Sequence, residues 1–92
     1  MSVIDRAQDW RDYAERGDGL EVAPCIFVGD TIERQDTPGA ADFWAVYVHL
    51  PEGGVEWIAD YDSRYTALRF AERAVEDHPN LAKYGVAQCW ND

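Results

Sequence analysis

The chain has 92 residues, 47% of them apolar and 13% aromatic, which is enough to pack one core and excludes a disordered chain. Eighteen acidic residues against eight basic ones leave a formal charge of −10. That field repels phosphate backbones and anionic lipid and attracts basic surfaces, so direct binding of DNA, RNA or membrane is disfavoured.

Residues 2–16, "SVIDRAQDWRDYAER", predict an amphipathic helix with Ser2 at its cap, Asp5 in its first turn and Gly17 at its end. Val3, Ile4, Ala7, Trp10, Tyr13 and Ala14 then share one stripe. "GDG" at 17–19 reads as a turn. The β-branched content from Cys25 to Ile32 predicts a strand, with Pro24 at its start or on an edge and Gly29 at a bulge or bend. Residues 35–42, "QDTPGAAD", form a polar loop.

The most legible stretch is "FWAVYVHLPEGGVEWIADYD", residues 43–62, a hairpin closed by two or four residues around "PEGG". Either loop pairs even positions with odd ones. Trp44, Val46, Val48 and Leu50 then share a face with Val55, Trp57, Ala59 and Tyr61. Phe43, Ala45, Tyr47 and His49 join Glu56, Ile58, Asp60 and Asp62 on the other. The first face is core. The second is mixed, with Tyr47 and Ile58 as an apolar centre ringed by acids.

Residues 63–78 predict a second helix, capped by Asp62 or Ser63, stopped by Pro79 and Asn80, and carrying an Arg73–Asp77 pair at i+4. "VAQCWN" is an optional short last strand with Trp90 packed on the sheet. The order α-β-β-β-α, with or without that strand, defines an α+β two-layer sandwich on an antiparallel sheet in a single domain, 1–92. Both helices on the face of Trp44 and Trp57 is the simplest packing. One helix on each face would instead let Trp10 and Tyr13 cover Tyr47.

Chemistry-bearing motifs are few. Cys25 and Cys89 match no zinc or redox spacing and sit in apolar runs, as buried thiols do. With His49 and His78 they match no metal module, and no phosphate loop, dinucleotide fingerprint or nucleophile elbow is present. No cofactor and no enzymatic activity are therefore expected; an enzyme would need a pocket that holds His49 with a perturbed carboxylate. "MSVIDRAQDW" lacks the regions of a signal peptide and no segment approaches membrane-spanning length, so the chain reads as cytoplasmic.

The acidic surplus lies between Glu21 and Asp62, while both predicted helices are nearly balanced. Alternate strand positions repeat every ~6.6 Å, comparable to successive phosphates on a nucleic-acid strand. Asp30, Glu33, Asp36, Asp42, Glu52, Glu56, Asp60 and Asp62, with Tyr47 and Ile58 as anchor, are thus expected to form an acidic ridge suited to the basic groove of a nucleic-acid-binding protein or complex. The alternative is a homodimer or regulatory module that pairs through Phe43, Tyr47 and Ile58, with charge serving solubility.

Two resemblances accompany this reading. The element order and "SRYTALRFAERAV" resemble the double-stranded-RNA-binding domain and its second helix, although Arg64-Tyr65 stands where that family places consecutive lysines. Size, charge and the lack of motifs resemble the small acidic inhibitors of phages and mobile elements, the anti-CRISPR proteins and antirestriction DNA mimics. That likeness implies a non-enzymatic inhibitor that blocks a Lys/Arg-lined groove.

Overall fold

The computed structural model describes residues 3–35 and 37–90. It is an α+β fold whose elements run β1 (Val3–Arg6), α1 (Trp10–Arg16), β2 (Gly19–Val28), β3 (Thr31–Arg34), β4 (Phe43–His49), β5 (Val55–Tyr61), α2 (Arg64–Asp77) and β6 (Val86–Gln88). The sheet order is β1-β5-β4-β2-β3, all antiparallel, and β6 pairs β2 in parallel on the edge β3 also uses. The optional last strand is therefore present, and the sheet is not purely antiparallel.

The single N-terminal helix over 2–16 is corrected. Its first part is strand β1, which pairs β5 through Asp5↔Asp60 and Arg6↔Ala59, and only Trp10–Arg16 is helical. Val3 and Ile4 are β-branched, and pairing satisfies backbone groups that β5 would otherwise present as a bare edge. The cap assigned to Ser2 lies outside the described residues. The chain is strand-first, so the helix-first order behind the likeness to the RNA-binding domain is not its order.

Both helices pack on one face, as the simpler packing predicts. Trp10 and Ala14 of α1 meet Ala67, Ala71 and Ala74 of α2 in a core with Trp44, Val46 and Val48. Ser63 Oγ accepts the Thr66 amide at 3.2 Å and caps α2. The end of α1 is finished from a distance, where Asn80 Nδ2 donates to the carbonyls of Ala14 and Gly17, both at 2.8 Å. Gly17 permits that close turn, since a Cβ there would stand 2.3 Å from Val48 Cγ1.

One irregularity rearranges the predicted faces. Trp44↔Tyr61 and Val46↔Ala59 follow the expected even–odd pairing, but the register shifts and Tyr47 then faces Trp57 while His49 faces Val55. Ile58 is the extra residue of this bulge. It turns into the helix-side core and is fully buried, whereas Trp57 turns to the opposite face.

Candidate functional site

On the face without helices the sheet covers itself. Cys25, Phe43 and Ala45 are buried there, with Tyr47 and Trp57 packed against them. A cavity of about 430 Å³ on this face is lined by Asp5, Ile32, Phe43, Ala45, Tyr47, Trp57 and Asp60. Asp5 lies on β1 and Ile32 on β3, the two outer strands. In a flat sheet four strand spacings would separate them by about 19 Å. One cavity shared by both edges therefore requires a strongly curled sheet, in the sense that strand twist favours.

Beyond β4 the chain continues as a β2–β3 hairpin that protrudes as a finger. Gly29 at φ +59° sits first in its two-residue loop, the position where a type II′ turn takes glycine. Phe27 and Ile32 pair across the finger on the open face and are 58% and 54% exposed, an apolar tip without cover. Phe27 also leans on Phe43, with ring centroids 4.8 Å apart, and so closes one side of the buried cluster.

The predicted acids separate into two groups. The register places Asp42 and Asp62 beside the Phe43 end of the sheet, the same end as Asp30 in the finger loop and Glu33 on β3, with Asp60 just inside it. Asp42 also has a structural duty: its carboxylate accepts the Phe27 amide at 2.9 Å, continuing the ladder past β4. Glu52 and Glu56 lie at the opposite end, around the β4–β5 turn. The expected continuous ridge is thus replaced by a cluster at the finger end and a pair at the far end. Asp36 lies outside the described residues. Ile58 is removed from the anchor, because the bulge buries it on the other side, and Trp57 takes its place beside Tyr47.

Asp5, on strand β1 rather than on a helix, stands directly opposite Asp60. Burial raises the Asp60 carboxyl above its ordinary value; the Trp57 indole, donating at 2.8 Å, pulls the other way, and Asp5 adds to the rise. Burial pushes the Tyr47 phenol up to about 12, with Cys25 contributing and the Arg34 guanidinium, 5.0 Å from the ring centroid, opposing. Arg34 is itself bonded to Glu21 at 3.3 Å. Burial also raises both thiols, and Glu21 raises Cys89 further, so each is held as the protonated form rather than as a nucleophile.

A second, smaller cavity of about 250 Å³ includes His49, Glu21 and Tyr84 in its wall. His49 Nδ1 lies 2.5 Å from the buried Asp18 carboxylate, and Asp18 is fastened further by its amide to His49 O and by Tyr84 N–H to its own carbonyl. These contacts tie the start of β2, the end of β4 and the turn before β6 together. No group of three metal-ligating side chains occurs among the described residues, and no helix among them is long and apolar enough to cross a membrane. A wider groove of about 720 Å³ along α2 is open and lined by charges of both signs.

Comparison with protein families, curated proteins and solved structures finds no match to this chain.

Proposed function

We propose that this chain is a non-enzymatic binding protein whose curled, helix-free sheet face and protruding finger occupy a basic, nucleic-acid-binding groove of another protein, in the manner of an inhibitor that mimics nucleic-acid charge. The observation that supports this most is the grouping of Asp5, Asp30, Asp42, Asp60 and Asp62 at one end of that face, around the exposed Phe27 and Ile32, with Glu33 on the reverse side of the finger. The cation that the register places on the face, Arg34, is already bonded to Glu21. Acids would steer the encounter, and a few aromatic and aliphatic side chains would supply the residual affinity.

Self-association through the same face is the weaker reading. It would set like charges against each other, and two of its three anchors, Phe43 and Ile58, are buried. The test is capture from bacterial lysate on the immobilised chain across a salt series. The expected result is a basic nucleic-acid-binding protein released as salt rises and displaced by duplex DNA or RNA. A captured protein indifferent to salt and nucleic acid, or no captured protein, would overturn the reading.

A further inference from the structure

We propose that the cavity between the two sheet edges is a receptor for one organic cation with an apolar stem, an alkylammonium or alkylguanidinium group such as a lysine or arginine side chain presents. In its partner-bound form this deepens the reading above and rests on it; as a property of the cavity it stands alone.

Three observations converge on this assignment. The first is shape and lining: about 430 Å³ bounded by the aromatic side chains of Phe43, Tyr47 and Trp57 and by Ile32, with the Tyr47 ring already carrying the Arg34 guanidinium and the rings of Phe43 and Trp57 left to a ligand. Aromatic faces attract organic cations and also tolerate their methylene stems. The second is charge. Asp5 and Asp60 line the same cavity and are direct cross-strand partners, an arrangement of like charges that destabilises a sheet. No cation among the described residues forms an ion pair with either, although Arg6 is adjacent in sequence; its guanidinium lies instead over Phe70, 5.9 Å from the ring centroid. The third is preorganisation. The Trp57 indole holds the Asp60 carboxylate at 2.8 Å, and the Arg6 amide holds Asp5 Oδ1 at 2.8 Å, so both acids are oriented before anything binds.

The same lining argues against a metal ion. Two carboxylates surrounded by rings offer too few oxygens for a hard cation, and no three-ligand group exists among the described residues. A cation that carries its own apolar surface satisfies both halves of the wall.

The experiment is a titration of the full chain, followed by the Trp57 indole N–H resonance and the backbone amides of Asp5, Tyr47 and Asp60. The probes are N-acetyl-lysine methylamide, N-acetyl-arginine methylamide and tetramethylammonium, with the neutral Nε-acetylated lysine amide as control. The expected result is saturable movement of these signals with a cationic probe, none with the control, and no movement of the Trp10 indole on the helix side. Asp5→Asn and Asp60→Asn each keep a hydrogen-bonding side chain and should weaken binding about tenfold, a cation's Coulombic share in a partly desolvated site. Tighter binding of the amino-acid amides than of tetramethylammonium assigns the site to a partner's side chain; equal binding assigns it to a free organic cation. Absence of saturation, or equal response to the neutral control, overturns the receptor even if partner capture succeeds. Saturation without any captured partner upholds the receptor and removes only the docking reading.

Discussion

At the scale of single residues, Asp60 links the cavity's charge to the stability of the sheet. Its raised proton affinity comes from burial and from Asp5 across the strand, offset by the Trp57 indole. A carboxyl whose folded value lies above its unfolded one binds its proton more tightly in the native state. Stability is therefore lost as pH rises through the carboxylate range. Asp60→Asn keeps an oxygen for the indole and removes the charge. It should be the more stable protein at pH 7, by about 0.2–1 kcal/mol for the relieved cross-strand repulsion, and the gain should disappear near pH 3. Urea titrations at both pH values check this; an Asn variant less stable at pH 7 would show that Asp60 is a structural acceptor alone. A site that costs stability when empty is a common mark of function.

At the scale of elements, what the sequence revealed and what it hid have separate physical causes. The β4–β5 hairpin and α2 were legible because alternation, a Ser63 cap and a terminating proline all agree locally. The exchange of Ile58 and Trp57 was not, since period-two arithmetic holds only while the register is unbroken and nothing in "EWIAD" announces a bulge. Residues 3–6 were hidden for another reason: a stripe of Val3, Ile4, Ala7 and Trp10 fits a helix, and only the partner strand β5 decides otherwise. While residues 3–6 fit a helix, nothing in the sequence places Asp5 opposite Asp60, so the cavity is not legible there even though Tyr47 and Asp60 are. The two apolar residues now have opposite roles. Ile58→Ala should cost about 2–5 kcal/mol as a buried truncation. Ile32→Ser, at an exposed position, should change stability by no more than about 0.5 kcal/mol yet weaken partner binding. Denaturant midpoints and binding isotherms for the pair separate core from contact surface; equal stability losses would place Ile32 in the core as well.

At the scale of the whole molecule, the two layers divide the labour. The helices and the Asn80 bridge to α1 fasten one side of the sheet. The other side is left to curl, with Asp5, Asp30, Asp42, Asp60 and Asp62 toward the finger end and Phe27 and Ile32 exposed among them. A net charge of −10 favours encounter with basic partners from any direction, but the grouping gives that attraction an orientation. Hydrogen–deuterium exchange of the chain with and without its captured partner tests this division most directly. New protection is expected in β1, the β2–β3 finger and the part of β5 around Asp60, with α2 unchanged. Protection confined to α2 and its groove would contradict it.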